Sequence, residues 1–481
     1  MWRREAPPAS RLARAARDAS RRPYKVDGAF DKLAVSADGK GMVPLAGAGL
    51  LALCADRVGL TRALSGAMAP MRQRRGRHDP GRVIRDLAVI LASGGDSVSD
   101  MVVLGGQERL FGGVASQATA RRAIAWVAED PARLERLRAA RAKARARAWK
   151  LGARPELIRI DIDATLTTAY SPKEGAHGNF KGGFGHHPFC AYLDGSREAL
   201  GAILRPGNAG SNTGADQVAI VGLALGQLPR EVVESESILL RADGAGSVHE
   251  LLDYAREGQI KFSVGFDLTA ENRQAIIDRL ESAWTLAICQ DGKPRTVKGE
   301  NGELIELAHV TELTDAVDLD SWPSGSRLIA RRERLQGEEQ LRLFADHGEW
   351  RLEVFLTDQD GDDIPELDRR HREHAQVEDR IREGKDTGMR NLPFPDLARN
   401  QVWLELVMIA QDLIAWTQAL ALTGELSRCE VKRLRYRLIH QAGRLVRSAR
   451  RMRLRLESSW PWAKELEDAF AKLQALPVPA D

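Results

Sequence analysis

The sequence predicts an α/β protein in which a mixed β-sheet with crossover helices is flanked by helical regions. Residues 157–170 and 187–195 have the alternating apolar and β-branched pattern of strands, and a Gly-rich turn separates them. A third apolar run, residues 198–207, follows at once. Helical and strand-like patterns then alternate from residue 214 to residue 266. These observations place the sheet in the middle of the chain.

The connections between the strands predict their directions. The first three strands are joined by tight or Gly-containing loops, so they run antiparallel, because a parallel pair needs a crossover of about a dozen residues or more. A helix at 214–227, a strand at 236–242, a helix at 245–257 and a strand at 259–266 then alternate as parallel strands and crossover helices do. The order β-β-β-α-β-α-β is that of RNase H-like folds. It predicts an RNase H-like core with a mixed five-stranded sheet over residues 155–268.

Basic residues are concentrated in a few segments, although the net charge is only +4. Residues 3–22 hold seven Arg and two acids, residues 131–150 hold eight Lys or Arg and one acid, and residues 428–455 hold eleven with Glu430 as the only acid. One such run is usually a solvated helix face. Three together favour a polyanion such as DNA. The candidate DNA contacts, including a fourth basic stretch, are Arg72, Arg74, Arg75, Arg435, Arg437 and Arg447.

The segments outside the core divide by composition and periodicity. An Arg-rich segment without a sustained apolar period predicts a basic flexible arm, and the helical pattern after it predicts a DNA-binding or dimerisation domain. A strand-rich insertion, a core helix and a helical C-terminal region follow the core. These units are the arm (1–42), the helical domain (43–150), the insertion (269–366), the core helix (367–390) and the C-terminal region (391–481, with helices near 398–423, 428–456 and 462–475).

Cysteine spacing and hydropathy exclude several other classes. The four cysteines are far apart, with neither a CxxC pair nor a Cys/His spacing suited to zinc, which indicates a reducing cytoplasm. No apolar run typical of a secretory signal follows the charged N-terminus. Glu405 and Asp412 interrupt the most apolar stretch, so we expect no membrane segment. The expected location is the bacterial cytoplasm, in association with the nucleoid.

Aspartates in the predicted strands indicate a catalytic site. Asp161 and Asp163 lie two positions apart in the first strand, so their carboxylates point to the same face of the sheet, and Asp243 ends a second strand. An unpaired buried carboxylate costs several kcal/mol, so aspartates on central strands are usually paired, hydrogen-bonded or bound to a metal. A shared metal site explains both strands at once.

The predicted core helix supplies a candidate third acid. Glu378, Arg382 and Lys385 fall at positions i, i+4 and i+7, so cations suited to phosphate lie beside a carboxylate. Three carboxylates suit two Mg²⁺ ions about 4 Å apart, which stabilise the attacking and leaving oxygens of a phosphodiester displacement. Mn²⁺ is the alternative metal. Each acid alone is more simply a strand cap or a surface residue, whereas the whole set in this fold order favours catalysis.

Five segments resemble the DDE transposases of bacterial insertion sequences, in particular the insertion-sequence 1380 family, which is related to the insertion-sequence 4 group. The resemblance spans roughly residues 26–460, and its strongest segments are IDIDATLTTAYSPKEGAHGNFKGGFGHHPFCAYL, LRPGNAGSNTGAD, LLRADGAG, VEDRIREGKDTGMRNLPF and NQVWLELVMIAQDLIAW. It implies an RNase H-like catalytic core with a strand insertion before the glutamate helix. It also assigns the catalytic and metal-binding triad to Asp163, Asp243 and Glu378. Asp163 is preferred to Asp161, which stays a further candidate ligand, because a small residue and Thr follow it.

The same resemblance implies the course of the reaction. Water cuts at the terminal inverted repeats, and the released 3′-OH is transferred to target DNA. Attack on the opposite strand to give a hairpin, and a homodimer on paired ends, are also implied. Related enzymes carry a Tyr, Arg, Glu, Lys signature; Glu378 and Lys385 keep its spacing, but His371 and His374 stand in the Tyr and Arg places. Lys385 is the candidate phosphate contact, and the roles of His371 and His374 stay open: such a histidine contacts the scissile phosphate, packs against the core or faces solvent.

Other functions compete with this interpretation. IDIDATLT also matches the nucleophile motif of haloacid dehalogenase-like phosphatases, but their later lysine and acidic-pair motifs are not found in order. A catalytically silent DNA-binding protein descended from a transposase would lose catalytic acids, and all three are present. A metal-dependent nuclease without strand transfer would share the site, so this alternative stays open. Trp284, Trp322 and Trp350 of the insertion are either core residues or stacking partners for a flipped base.

Overall fold

The computed structural model describes residues 33–72, 76–210, 213–299, 301–335, 346–448 and 451–479. Residues 1–32 of the predicted arm, and the candidate DNA contacts Arg74 and Arg75, lie outside these ranges. The described residues from Val43 onward form one compact unit. The helical, core, insertion and C-terminal segments are therefore parts of one unit rather than a series of separate domains.

The strands alternate with helices through the middle of the chain, as their sequence patterns predict. They are β1 (Met42–Val43), β2 (Ile158–Ala164), β3 (Thr167–Thr168), β4 (His177–Gly178), β5 (Phe184–His186), β6 (Phe189–Leu193), β7 (Ala199–Ile203), β8 (Ile238–Ala242), β9 (Lys261–Phe266), β10 (Thr285–Leu286), β11 (Thr296–Lys298), β12 (Leu304–Glu306), β13 (Ala308–Glu312), β14 (Arg327–Arg334), β15 (Trp350–Thr357), β16 (Gly443–Ser448) and β17 (Arg451–Leu456).

Nine strands form one mixed sheet, in the order β10-β13-β14-β15-β9-β8-β2-β6-β7. β2 pairs antiparallel with β6, and β6 with β7, whereas β2 pairs parallel with β8, and β8 with β9. These directions agree with those expected from the lengths of the connections. β2 and β8 lie side by side in the interior of the sheet, so both strands are supported from either side.

The strand-rich insertion extends this sheet, which corrects the prediction of a separate β domain and of a sheet with five strands. β15 pairs antiparallel with β9, and β14, β13 and β10 follow outward. Without them β9 would be an edge strand with unpaired backbone N–H and C=O groups. Leu328, Val354 and Leu356 of the insertion also belong to the main hydrophobic core. Pairing between strands that are about a hundred residues apart leaves no local pattern that sequence reasoning detects.

The helices surround the sheet and provide the rest of the core. They are α1 (Ala48–Arg57), α2 (Leu60–Ala67), α3 (Pro80–Ala92), α4 (Met101–Gly105), α5 (Glu108–Phe111), α6 (Gln117–Ala128), α7 (Pro131–Ala148), α8 (Gly214–Leu225), α9 (Arg230–Ser235), α10 (His249–Glu257), α11 (Ala270–Asp278), α12 (Ile364–Arg372), α13 (Gln376–Gly384), α14 (Leu397–Ala421), α15 (Val431–Leu434) and α16 (Ala463–Ala475). Short 3₁₀ and π-helical turns connect several of them.

α14 is the central helix of the unit. It packs against α1, α3 and α6 on the helical side and against β7 of the sheet. By length and composition it is long and apolar enough to cross a membrane, but 89% of its most apolar window is buried inside the protein. Trp403 and Trp416 are among its fully buried side chains. These contacts are those of a core helix.

Two arginines of α7, Arg141 and Arg145, are fully buried, so these two contribute neither to a DNA-binding surface nor to a solvated one. Arg145 donates hydrogen bonds to Asp412 at 2.6 Å and to Glu198 at 2.9 Å. Arg141 pairs with Glu405 and, at 3.1 Å, with Asp412. The two acids that interrupt the apolar stretch of α14 are therefore the partners of α7. This network fixes the two helices against each other.

The segment 428–456 is not the single helix that its composition predicts. α15 and a π-helical turn at 435–439 are followed by the antiparallel hairpin of β16 and β17. In β17, Arg alternates with Met or Leu, which is the two-residue period of a strand. The high arginine content makes this period easy to miss. The segment was interpreted as a basic helix because arginine occupies every second position of the strand.

Candidate active site

Two of the candidate catalytic acids, Asp163 and Asp243, lie at the same edge of the sheet. Asp161 is opposite Arg241 in the parallel pairing of β2 with β8. Two positions further along each strand, Asp163 and Asp243 lie beside each other at the carboxyl ends of these strands. Asp243 ends β8 and caps the following 3₁₀ turn, where its carboxylate accepts a hydrogen bond from the N–H of Ala245 at 3.1 Å.

Glu378 approaches this edge from α13, which packs against β2 and β6. Burial and the charge of Asp243, with a further contribution from Glu378, raise the pKa of Asp163 to about 6. The charge of His374 and a hydrogen bond from the N–H of Ala164 oppose this rise. Like charges shift a pKa appreciably only at short range. Asp163 therefore lies within electrostatic range of both Asp243 and Glu378.

These three acids lack a cationic partner in the part of the chain that the structure describes. Asp163, Asp243 and Glu378 form no ion pair within 4 Å there, and Glu378 is exposed on its helix. The other acids of this face are paired, as Asp194 is with Arg241 at 2.9 Å. No ion pair at contact distance therefore neutralises these three carboxylates in the described ranges.

The comparisons with known proteins identify the family of the chain. The family model described as transposase DDE domain group 1 matches residues 27–478. The chain belongs to this family of DDE transposases. The comparison with curated proteins gave no match. Among solved structures, a similar chain comes from the cryo-EM structure of the piggyBac transposase synaptic complex with hairpin DNA, with 10% identity, coverage of 81% of this chain and 80% of that chain, and a TM-score of 0.42.

Asp161 of the transposase does not present a free carboxylate to the site. Its two oxygens accept hydrogen bonds from Arg241 at 2.7 and 2.8 Å, and the side chain is buried. Oδ1 also lies 3.1 Å from Nδ1 of His374. The structure therefore does not support Asp161 as a metal ligand. Sequence reasoning missed Arg241, although a charged residue inside the apolar run LLRADG was the signal for it.

The two histidines near Glu378 have different environments. His371 lies 3.0 Å from Oγ of Ser263 and stacks on the ring of Phe355, with ring centroids 4.2 Å apart. Burial lowers the pKa of His371 to about 3, so it stays neutral and acts as a packing residue. His374 is half-buried between Asp161, which it contacts, and Asp163, whose pKa its charge lowers. His374 is thus the histidine beside the acids.

Lys385 and Arg382 are also placed differently. Lys385 follows the last residue of α13 and is half-buried. Burial lowers the pKa of its ammonium, and the nearby Asp163 opposes this shift. Arg382 is about half exposed and pairs with Asp379 at 2.8 Å and Glu430 at 3.1 Å. Lys385 therefore supplies the cation next to the acids, while the charge of Arg382 is balanced elsewhere.

Arg435 is buried, which corrects its assignment as a DNA contact. Its guanidinium donates hydrogen bonds to the backbone carbonyls of Leu91, Ala92 and Asp386 at 2.7–3.0 Å. Burial lowers its pKa to about 10. Arg435 closes the C-terminal end of α3 rather than facing a ligand.

The remaining basic candidates in the described ranges are partly or fully accessible. Arg437 pairs with Glu425 at 2.7 Å and lies over the ring of Trp462 at 4.7 Å. Arg72 pairs with Asp79, and half of its side chain is exposed. Arg447 is exposed on β16.

The tryptophans of the insertion are packing residues. Trp322 stacks on His249 with ring centroids 4.1 Å apart. Trp284 and Trp350 both lie under the guanidinium of Arg332, at 4.4 and 4.8 Å. All three are half-buried against the main core. The core interpretation of these rings fits the structure.

Proposed function

We propose that this protein is a cut-and-paste DNA transposase of the insertion-sequence 1380 family, which cleaves at the terminal inverted repeats of its element and joins the released 3′-OH to target DNA. The proposal rests on the electrostatic proximity of Asp163 to Asp243 and Glu378, none of which forms an ion pair in the described ranges, in a chain of the DDE transposase family. In a chain with 71 Lys and Arg, three such acids at one edge of a sheet leave negative charge for another ligand.

Two Mg²⁺ ions, or Mn²⁺ in their place, are the proposed ligands. The donor set fits, because hard cations prefer carboxylate oxygens and because a cation would relieve the repulsion that raises the pKa of Asp163. Among the described residues, no group of three or more His, Cys, Asp or Glu side chains is spaced to hold a metal ion. Rotation of these side chains would therefore have to accompany binding. Bound ions would activate water and stabilise the attacking and leaving oxygens.

The side chains have distinct proposed roles. Asp163 and Asp243 hold the shared position, because neighbouring parallel strands fix their backbones. Glu378 completes the donor set from α13, where its exposed carboxylate is free to turn. Lys385 binds an oxygen of the scissile phosphate, for which an ammonium is a suitable charged donor. His374 orders the region between Asp161 and Asp163.

The proposed partner is DNA, bound by a homodimer so that each active site meets one end. The support for DNA as the partner is charge: β16 and β17 expose a row of arginines, and such contacts give salt-sensitive binding to phosphates. Light scattering of the protein mixed with DNA ends checks the assembly. A complex with one protomer and both ends would contradict the homodimer.

The test of the function is cleavage and joining by purified protein on labelled DNA that carries the ends of its element. Wild type is compared with Asp163→Asn, Asp243→Asn and Glu378→Gln, in Mg²⁺, Mn²⁺ or EDTA. We expect joined products with either metal, none in EDTA, and a loss of about a hundredfold or more in each variant, since even outer-shell partners of metals contribute 10–100-fold.

Asp379→Asn is the matched control, because Asp379 is the neighbour of Glu378 on α13 and pairs with Arg382 outside the site. It should retain activity. Cleavage without joining would instead identify a metal-dependent nuclease. Salt-sensitive DNA binding by folded protein that never cleaves would identify a catalytically silent descendant.

A further inference from the structure

Exposed aromatic side chains are concentrated in one small sheet. In the described ranges, the aromatic residues among the exposed large hydrophobic side chains are Tyr170 (93% exposed), Phe180 (73%), Phe184 (43%) and Tyr436 (66%). Three of the four lie within fifteen residues, on or between β3, β4 and β5. We call residues 167–186 the aromatic hairpin. Aromatic rings usually contribute to cores or interfaces, so three exposed rings on one element indicate a ligand.

Hydrogen bonds and a tight turn hold the backbone of the hairpin in a regular structure. Its rings are therefore exposed on an ordered element. At its tip the carboxamide of Asn179 accepts hydrogen bonds from the N–H groups of Lys181 and Gly183, both at 3.1 Å. Gly182 adopts the left-handed conformation that this tight turn requires (φ 76°). Nearer the base, the N–H of Ala169 donates to the carbonyl of Phe184 at 2.9 Å.

The base of the hairpin is attached to the body of the protein. The N–H of Leu397, at the start of α14, donates to the carboxylate of Glu174 at 2.9 Å. Gly207 packs so closely against the backbone of Gly185 that an added Cβ atom would lie 2.1 Å from its carbonyl oxygen. Lys173 donates to the carbonyl of Leu392. The backbone that carries the aromatic rings is thus attached to the rest of the protein at the base of the hairpin.

The hairpin stands next to the catalytic acids. It begins three residues after the end of β2, the strand that carries Asp163. The ring of Phe180 lies 6.1 Å from that of His187, which is two residues before β6, the strand that pairs with β2. The charge of Lys181 at the tip contributes to lowering the pKa of Lys385, whose ammonium also senses Asp163. The tip therefore lies at the same edge of the sheet as the acids.

The charges of the hairpin select the kind of ligand. Its cations are Lys173 and Lys181, and its only acid, Glu174, already accepts a hydrogen bond from a backbone N–H. The ammonium of Lys181 lies 5.6 Å from the ring of Phe180, so a cation and a ring face are presented together. A ring beside a cation matches a nucleotide, which offers a π face and a phosphate. An apolar protein surface would match the rings but not the lysines.

We infer that the aromatic hairpin holds an unpaired nucleotide of the DNA beside the cleavage site, with its base stacked on Phe180 and its phosphate contacted by Lys181. This inference rests on the proposed function, because it takes the substrate to be DNA. It adds a site that recognises locally opened duplex. A base that is already unpaired binds without the cost of unstacking, so forked DNA should bind more tightly than paired DNA of the same sequence.

The experiment measures binding in EDTA of a forked DNA with one 2-aminopurine at the first unpaired position, and of the fully paired duplex of the same sequence. We expect wild type to prefer the fork and to quench the 2-aminopurine fluorescence. Phe180→Ala should reduce the preference about tenfold, as expected for one aromatic–base stack, and abolish the quenching. Phe180→Trp should keep both. Tyr436→Ala removes an exposed ring outside the hairpin and should leave both unchanged.

An unchanged preference in Phe180→Ala would overturn the inference, and so would an equal loss of affinity for both DNAs by a folded variant. The metal-dependent cleavage assay separates this result from the proposed function. Fork preference that depends on Phe180 in a protein that never cleaves would leave the hairpin site standing and refute catalysis. Cleavage together with a preference that does not depend on Phe180 would refute the hairpin site alone.

Discussion

At the scale of single residues, Asp163 lowers the stability of the metal-free protein. Burial of its carboxylate, together with the charges of Asp243 and Glu378, raises its pKa to about 6, from 3.8. The native state therefore binds this proton more tightly than the unfolded state does. Stability is lost as the pH rises from about 4 to 6, and the loss is complete above that window. A site that binds cations therefore lowers the free energy of unfolding when no cation is bound.

Asp163→Asn should therefore stabilise the metal-free protein while it abolishes activity. At pH 7.5 the free energy of unfolding should rise by about 1–2 kcal/mol, a value reduced from the full pKa shift because the side chain is partly exposed. Asn retains an oxygen for the N–H of Ala164. The gain should shrink towards pH 4.5, where the wild-type carboxyl is protonated. Urea denaturation at both pH values measures it, with Asp379→Asn as control, and a variant less stable than wild type at pH 7.5 would contradict this account.

Residues on neighbouring strands were the most predictable part of the site. Asp163 and Asp243 follow strands of a recognisable pattern, and parallel neighbours place their carboxyl ends together. Glu378 was predicted from its helical spacing to Lys385 and from the family resemblance. Whether a charged residue faces a ligand or another side chain is decided by tertiary packing. For this reason the pairing of Asp161 with Arg241, and the burial of Arg435, could not be predicted.

At the scale of elements, the hairpin of β16 and β17 presents a basic surface in the C-terminal part of the described chain. Five of its arginines are exposed, and each alternates with or adjoins an apolar residue: Arg444, Arg447, Arg451, Arg453 and Arg455. Arg141 and Arg145 of α7 are instead buried, because both form ion pairs inside the protein. Arginine density alone therefore does not identify a nucleic-acid surface. The secondary structure that presents the arginines decides it.

Replacement of Arg451, Arg453 and Arg455 by Gln should weaken DNA binding uniformly across sequences. Each lost phosphate contact reduces the slope of log Kobs against log salt by about 0.9, so the slope should fall by about 3. Fluorescence anisotropy with duplex DNA at several salt concentrations measures the slope. A control triple variant with the same loss of charge uses exposed basic residues elsewhere in the chain: Arg230, Lys298 and Arg351. Equal slopes for the two triple variants would show that only net charge matters.

At the scale of the whole molecule, a single hydrophobic core joins parts that look separate in the sequence. Residues of the N-terminal helices, the sheet and α14 belong to one buried cluster. The change from a helical to a strand-like texture near residue 155 marks a change of secondary structure, not the end of a domain. The sequence predicted the order of elements because periodicity is local. It could not predict that these elements share one core, because a shared core depends on contacts between residues hundreds of positions apart.

A fragment of residues 43–150 should therefore not fold alone, although its helical pattern is that of a small domain. In the whole protein the guanidinium groups of Arg141 and Arg145 are neutralised by Glu405 and Asp412 of α14 and by Glu198. Without them, two charges on the inner face of α7 must either be exposed, which opens the core, or stay buried at several kcal/mol each. Circular dichroism should show partial helix without a cooperative thermal transition, whereas the full chain melts cooperatively. A sharp transition of the fragment, retained when both arginines are changed to Leu, would show that the helices carry a core of their own and that the ion pairs only dock it.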